Sequence, residues 1–146
     1  MIIYTPLTKK AMRIAYDAHK EQVDKMGMPY IFHPFHLAEQ MTDEVSVCAA
    51  LLHDVVEDTE ISFEDLAAHG IPEIVIEALK LLTHDENDPY MDYVQKIKDS
   101  GNRTAKAVKL ADLRHNSDTT RADAVSEKIA ARFEMYKAAI DLLEQG

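Results

Sequence analysis

Four ionisable residues follow an apolar stretch near the middle of the chain. The apolar run 47–52 leads directly into His53 and Asp54, and Glu57 and Asp58 follow four residues after each of these. Ionisable groups at the end of an apolar helix are costly to bury unless they are paired. If the helix continues through this segment, each acid lies one turn beyond its partner. A carboxylate pair beside a His–Asp pair is what a metal site with general acid/base chemistry requires.

A second apolar segment also ends in an acid, and a third carries a histidine. Lys109, Asp112 and Asn116 lie at offsets of three and four, so they share one helix face, with His115 within reach of it. His33 lies between apolar residues and prolines at a predicted helix entrance. Together the segments supply two histidines and two aspartates, namely His33, His53, Asp54 and Asp112. Such an N2O2 set suits manganese, iron or zinc, and the spacing does not choose among them.

Each of these residues also has an ordinary structural interpretation. Asp54 could bond to a neighbour at a helix C-terminus or to a surface lysine. A single buried histidine such as His33 most often donates to a carbonyl, and Lys109 and Asn116 could form a solvated stripe. The combination favours a site, because two apolar helices both end in acids and one of them carries His-Asp-x-x-Glu-Asp.

Amphipathic helices are predicted at both ends of the chain. Apolar residues recur at helical spacing over residues 7–18 and again over residues 129–143. Thr8 and Ser126 are the predicted N-caps of these helices, and Gly146 follows the second one.

Three central segments, 45–56, 74–82 and 104–113, are apolar on more than one side, which is typical of helices in the middle of a bundle. Pro72 is predicted in the first turn of the second segment. The chain has no sustained period-two alternation and no Asn-Gly or Asp-Gly hairpin signal, which disfavours a sheet. We therefore expect an all-α fold, a compact bundle of about six to eight helices, in a single domain spanning residues 1–146.

The composition restricts the partners. The 146 residues include 26 acidic and 16 basic side chains, for a formal net charge of -10, which argues against nucleic acid or an anionic membrane as partner. The start of the chain has no signal-peptide pattern, and its apolar runs are far shorter than the roughly 20 residues of a bilayer span. Cys48 is the single cysteine, so an intrachain disulfide is excluded. These features predict a cytoplasmic protein and leave its oligomeric state open.

The order and spacing of His33, His53-Asp54 and Asp112 resemble the HD superfamily of metal-dependent phosphohydrolases. Three longer strings narrow the resemblance to the hydrolase domain of the RelA/SpoT alarmone enzymes: GMPYIFHP, ALLHDVVEDT and VKLADLRHN, beginning at residues 27, 50 and 108. The chain is similar to a stand-alone small alarmone hydrolase, since its length predicts neither the synthetase domain nor the regulatory domains of the long RelA/SpoT proteins.

The resemblance implies an HD-domain fold and a reaction. It assigns the two histidines and two aspartates named above to one metal ion, typically Mn²⁺, and it implies that Glu57 and Asp58 activate and position the attacking water. The implied substrate is a small-molecule nucleotide polyphosphate, guanosine tetra- or pentaphosphate. Removal of its 3′-pyrophosphate leaves GDP or GTP.

The resemblance also implies residues that bind the substrate. Asn116 matches a position that contacts the nucleotide, and Lys25 matches a basic position near the substrate. Lys109 and Arg114 are further candidates to meet the phosphates, and Thr119 completes the predicted substrate-binding set.

Two positions depart from the family pattern. Asp24 stands where the family usually has an arginine that is available to stack on guanine, and Asp118 replaces another positive charge. A carboxylate does not replace a guanidinium that packs on a base. Two alternatives therefore stay open: a phosphohydrolase of another phosphorylated nucleotide or nicotinamide cofactor, and a non-catalytic helical module that senses a nucleotide. The paired acids Glu57 and Asp58 speak against the second alternative, because a binder needs no such pair.

Overall fold

The computed structural model describes residues 1–145, which fold into helices joined by short loops. In chain order the helices are α1 (Pro6–His19), α2 (Phe32–Glu39), α3 (Glu44–Leu52), α4 (Val55–Asp58), α5 (Phe63–Ala68), α6 (Glu73–Leu82), α7 (Tyr90–Ser100), α8 (Arg103–Asn116) and α9 (Glu127–Glu144). A 3-10 turn, Thr119–Arg121, connects α8 to α9. Helix α4 is a single turn, and the other eight helices have six or more residues. Over the described residues the only extended pairing is an isolated bridge, so the all-α prediction is confirmed.

Helix α3 is the centre of the bundle. Its residues from Ser46 to Leu52 are all buried, and α1, α2, α6 and α8 pack around it. The side chain of Asp43 begins the helix by accepting a hydrogen bond from the Ser46 amide at 2.9 Å. Because almost every side chain of α3 is apolar, the helix can bury several faces at once. The C-terminal end of α3 therefore lies inside the protein.

The beginnings of two helices differ from the sequence prediction. Thr5, not Thr8, is the N-cap of α1, and the two residues form a capping box in which each side chain accepts a hydrogen bond from the other's amide. Pro6 determines this start, because proline fits the first helical position, where no amide hydrogen is needed. Pro72 lies at the N-cap of α6 rather than in its first turn.

Helix α9 lies across α7 and α8 and buries Ala139 and Leu143 against the core. Ser126 is its N-cap, as predicted, with its hydroxyl accepting from the Ile129 amide at 3.2 Å. Gly146, which was predicted to follow this helix, lies outside the described residues. Among residues 1–145, no helix combines the length and apolarity that a bilayer crossing needs.

The chain breaks its helical course between α3 and α4. Asp54 has φ -105° and ψ 1°, so the helix does not continue unbroken from His53 to Asp58, which was the condition for stacking each acid one turn beyond its partner. The Nδ1 atom of His53 donates to the Ala50 carbonyl at 2.7 Å, and this is the carbonyl that the Asp54 amide would bind in a continuing helix. After the break the Asp58 amide donates to the Asp54 carbonyl at 2.9 Å, so Asp58 still lies one turn beyond Asp54.

We expect Leu51→Ala to destabilise the fold strongly, because Leu51 in α3 is 1% exposed and its truncation leaves a cavity at the centre of the bundle. The expected loss is about 2–5 kcal/mol in the free energy of unfolding, measured by urea denaturation. Ile74→Ala in α6 is the control, since Ile74 is 60% exposed and should change stability by no more than about 0.5 kcal/mol. Equal effects of the two substitutions would contradict the central position of α3.

Candidate functional site

Three donor groups from separate helices meet at the buried end of α3. His33 lies in the first turn of α2, His53 follows α3, and Asp112 lies in α8. One donor atom from each lies within 4.8 Å of the others. The Asp112 Oδ1 atom is 2.8 Å from the Nε2 atom of His33 and 3.7 Å from that of His53. All three residues are buried.

Asp54 extends this group, because its Oδ2 atom lies 2.9 Å from the His53 Nε2 atom. The Tyr30 hydroxyl donates a hydrogen bond to the same Asp54 oxygen and fixes the carboxylate from the side of the loop after α1. The structure thus brings together the four residues predicted to hold a metal, which we call the ligand cluster: His33, His53, Asp54 and Asp112.

The hydrogen bonding of His53 tests whether a cation fits there. Its Nδ1 atom carries the proton given to the Ala50 carbonyl, so Nε2 of the neutral ring presents a lone pair. That buried Nε2 atom has no hydrogen-bond partner among the described residues, although carboxylate oxygens lie close to it. Burial lowers the pKa of His53, but Asp54 and Asp112 outweigh it and hold that pKa well above its ordinary value, so without a metal ion these carboxylates attract a proton to Nε2. A divalent metal ion can replace that proton between an imidazole nitrogen and carboxylates, so the chain has a His/Asp site that suits such an ion.

His115 orients His33 by contacting the ring nitrogen of His33 that points away from Asp112. Their Nδ1 atoms are 2.6 Å apart, and the His115 ring stacks on His36 with ring centres 4.1 Å apart. Burial, followed by the neighbouring charge of His33, lowers the pKa of His115 to about 4, so this ring is neutral at pH 7. A neutral His115 can accept the Nδ1 proton of His33, which leaves the His33 Nε2 lone pair facing the cluster.

Lys109 compensates the charge of Asp112. Its Nζ atom is 3.0 Å from the Asp112 Oδ2 atom and about 5 Å from the ring centres of Tyr90 and Tyr93. Burial opposes the charge of Lys109, but Asp112 outweighs this effect and raises the pKa of Lys109 well above its ordinary value. Burial likewise raises the pKa of Asp112, and Lys109 outweighs it, so that carboxyl stays ionised. Lys109, predicted to bind substrate, is therefore already paired with a member of the ligand cluster.

Glu57 and Asp58, which we call the acidic pair, form a second group with Asp54. One carboxylate oxygen from each of the three residues lies within 4.8 Å of the other two. The His84 amide donates to the Glu57 Oε1 atom at 2.6 Å and holds that side chain in place. Partial desolvation on the cavity wall, followed by the charges of Asp54 and Glu57, raises the pKa of Asp58 to about 6. A carboxylate with such a pKa is suited to accept a proton near neutral pH.

A cavity of about 430 Å³ joins the two groups. It is lined by most of the predicted site residues, namely Lys25, His33, Asp54, Glu57, Asp58, Lys109, Asp112 and Asn116. The structure does not bring Arg114 and Thr119 to this cavity. Arg114 is two residues from Asp112 on α8, a rotation of roughly 200°, and pairs with Glu144 on the surface. Thr119 begins the exposed 3-10 turn.

The cavity also has a cationic wall formed by Lys25, Arg121 and Arg132, of which the sequence analysis identified only Lys25. Arg132 of α9 lines it, and the neighbouring charges of Arg132 and Lys128, after desolvation, lower the pKa of Lys25. Arg121 of the 3-10 turn lines it as well. The predicted apolar stripe of α9 was an indirect signal, because Ile129 and Phe133 of that stripe face this cavity. Which side chains lie beside the stripe at the cavity depends on how α9 packs.

Comparisons with known proteins agree with this geometry. The family described as HD domain matches residues 11–116. The bifunctional (p)ppGpp synthase/hydrolase SpoT of Escherichia coli is 34% identical over 123 residues, covering 76% of this chain and 18% of the relative. A guanosine-3′,5′-bis(diphosphate) 3′-pyrophosphohydrolase of Vibrio cholerae is 48% identical over 60 residues, covering 38% of this chain and 8% of the relative. The chain thus spans less than a fifth of the length of these relatives.

A solved structure of a metazoan ortholog of SpoT, described as hydrolysing ppGpp, has the same fold. It superimposes with a TM-score of 0.76 and 24% identity, covering 99% of this chain and 89% of that one. The resemblance to the HD superfamily and to the RelA/SpoT hydrolase domains is confirmed by these matches.

We expect His53→Ala to abolish tight binding of divalent metal, because it removes one of the two imidazoles from the ligand cluster. Metal that binds only the folded state stabilises the wild type by about 2.7 kcal/mol at a hundredfold excess over Kd, and this increment should disappear in the variant. Metal content and Tm are measured with and without a chelator. His69→Ala, at an exposed histidine, is the control. Equal metal content in wild type and His53→Ala would refute the assignment.

We expect the Asp58 carboxyl to titrate at about pH 6 in the metal-free protein, against about 3.9 for an unperturbed aspartate. Because Glu57 contributes to the upward shift, Glu57→Gln should lower the pKa of Asp58. Carbon-13 NMR of the side-chain carboxyl groups measures both values. A pKa of Asp58 near 4 in the wild type would show that the carboxylates do not interact as their distances imply.

Proposed function

Because the chain belongs to the HD domain family, we propose that it is a metal-dependent phosphohydrolase of a nucleotide polyphosphate. The proposed reaction removes the 3′-pyrophosphate of (p)ppGpp and releases pyrophosphate with GDP or GTP, the activity named for the relatives. The observation that carries the proposal is that His33, Asp54 and Asp112 of the ligand cluster line one cavity together with the acidic pair and a cationic wall. We take residues 1–146 as a single domain of this type.

We propose that the ligand cluster holds one Mn²⁺ ion. Two imidazole nitrogens and two carboxylates are donors that manganese accepts readily. When bound, such an ion lowers the pKa of water and offsets the charge on phosphoryl oxygens. Tyr30, Lys109 and His115 hold the ligands Asp54, Asp112 and His33 in place through the contacts described above.

The acidic pair would carry the proton transfer. One oxygen of Glu57 is held by the His84 amide, so the other can position a water molecule between the two side chains. Asp58, with a pKa of about 6, is mostly ionised at neutral pH and can accept a proton from that water. Attack of this water at phosphorus then breaks the bond to the 3′-oxygen, which leaves as a hydroxyl group with the proton that Asp58 accepted, and pyrophosphate is released.

The cationic wall offers a place for the phosphates. The cavity lining contains five carboxylates, and its four cations are Lys25, Lys109, Arg121 and Arg132. Lys109 is paired with Asp112, so Lys25 and Arg132 are the cations proposed to bind phosphate. The side-chain amide of Asn116 donates to the Asp112 Oδ1 atom at 3.1 Å, so it can contact a nucleotide only in this fixed orientation. With five carboxylates and four cations, the cavity lining suits a polyphosphate only when a divalent cation adds its positive charge.

The residue at position 24 favours a second candidate for the substrate of this site. Asp24 lines the cavity at the position where the family usually has an arginine that stacks on guanine. A different phosphorylated nucleotide, or a nicotinamide cofactor, is therefore the alternative substrate for the same site.

Turnover of ppGpp tests the proposal. Protein loaded with Mn²⁺ should release pyrophosphate from ppGpp, and should do so faster than it releases phosphate or pyrophosphate from GTP, ATP or NADPH. Glu57→Gln should lower kcat by about a hundredfold or more while it retains metal. Glu60→Gln, at an exposed glutamate just beyond α4, is the matched control and should keep full activity.

The alternatives predict other results. A better substrate in the panel would replace ppGpp and leave the class of reaction intact. Binding of nucleotide with no turnover in the wild type would favour a sensor module. Full activity of Glu57→Gln would remove the role given to the acidic pair.

A further inference from the structure

We infer that Arg121 selects the nucleobase of the substrate, by stacking the plane of its guanidinium on the base while Asp24 holds it in position. The inference deepens the proposed function, and it rests on that function only for the identity of the substrate as a nucleotide. It begins from the pairing of two residues that lie 97 positions apart: the Arg121 Nη2 atom is 3.1 Å from the Asp24 Oδ2 atom. Both side chains are largely buried and both line the cavity.

The pairing of Asp24 with Arg121 explains why a carboxylate can stand at position 24, on the wall of the cavity. Asp24 accepts hydrogen bonds through its Oδ1 atom from the amides of Met26 and Met28, at 2.8 and 3.0 Å. These two hydrogen bonds shape the turn that carries Lys25. The other carboxylate oxygen of Asp24, Oδ2, is left to accept from Arg121. The negative charge is thus matched within the cavity wall. Asp118, the other departure from the family pattern, begins the 3-10 turn by accepting from the Thr120 amide at 3.0 Å and does not line the cavity.

The contacts of Arg121 decide which part of it can meet a ligand. Its Nη1 atom donates to the His115 carbonyl at 2.9 Å and lies 3.4 Å from the Asn116 Oδ1 atom. With Nη2 bound to Asp24, the outer edge of the guanidinium is engaged by three acceptors. Because both terminal nitrogens are engaged, we place the ligand against the planar face of the guanidinium. Guanidinium planes stack on aromatic rings, which an ammonium cannot do.

The surrounding charge favours a base over a phosphate at this position. A phosphate beside Arg121 would also lie beside the Asp24 carboxylate and be repelled by it, whereas an uncharged ring would not. Lys25 has Arg132 and Lys128 as its charged neighbours, so the phosphates are better accommodated on that side. Met26, Ile129 and Phe133 line the same cavity and provide apolar surface for a ring.

The experiment compares ligands with and without a base. Binding of GDP and of inorganic pyrophosphate to the Mn²⁺-loaded protein is measured by calorimetry, and KM and kcat are measured with ppGpp. Arg121→Lys, which keeps the charge and loses the plane, should weaken GDP binding and raise KM by about tenfold. It should leave pyrophosphate affinity and kcat within about twofold. Arg13→Lys, at an exposed arginine of α1, is the matched control.

Asp24→Asn tests the positioning role separately. Asparagine keeps an oxygen for the amides of Met26 and Met28 but loses the charge that holds Arg121. We expect KM for ppGpp to rise by about threefold with kcat unchanged, and the Tm of each variant is measured to verify folding. An unchanged KM in this variant would overturn the role of Asp24.

Other outcomes decide the role of Arg121. GDP binding by Arg121→Lys equal to wild type would overturn the inference, as would an equal loss of affinity for GDP and pyrophosphate, which is the result expected of a phosphate contact. Wild-type protein that binds GDP no more tightly than pyrophosphate would also overturn it. If the wild type does not hydrolyse ppGpp but Arg121→Lys selectively weakens GDP, the proposed substrate fails and the inference stands.

Discussion

The rest of the structure depends on the compensation of buried charge at the end of α3. Asp54 and Asp112 face two imidazoles in the interior of a helical bundle, where an unpaired carboxylate is expensive. Both carboxylate oxygens of Asp112 have partners, His33 and Lys109, and the Oδ2 atom of Asp54 accepts from Tyr30. Among residues 1–145 the buried Nε2 atom of His53 has no hydrogen-bond partner, and a cation bound there would complete the set.

This constraint explains the break between α3 and α4. A continuous helix would place the ionisable side chains on successive turns, and only some of them would face α2 and α8. At the end of α3 the His53 side chain, and not the Asp54 amide, binds the Ala50 carbonyl. His53 and Asp54 then lie together against Asp112, while Glu57 and Asp58 lie beside them on the short helix α4. The break thus separates the ligand cluster from the acidic pair and keeps the two within reach of one cavity.

The net charge of -10 acquires a different meaning once the side chains are placed. It still argues against an extended polyanion, but two acids of the cavity lining are compensated locally: Asp112 by Lys109 and Asp24 by Arg121. Lys25 and Arg132 also line the cavity, and Lys128 adds its charge near Lys25. An acidic protein can therefore present a positive wall to a small anionic ligand.

The amino-acid sequence by itself determined the helical class, the central position of the apolar segment 45–56 and the residues of the ligand cluster. Helical spacing and burial pattern are local properties, and a histidine or acid at the end of an apolar run can be identified without coordinates. Spacing along one helix could not determine the break at Asp54, nor that Arg114 faces away from the cavity that Asp112 lines. Nor could it identify the pairing of Asp24 with Arg121, or Arg132 as part of the cavity wall. These depend on which helix faces meet, and that is decided by packing between residues far apart in the chain.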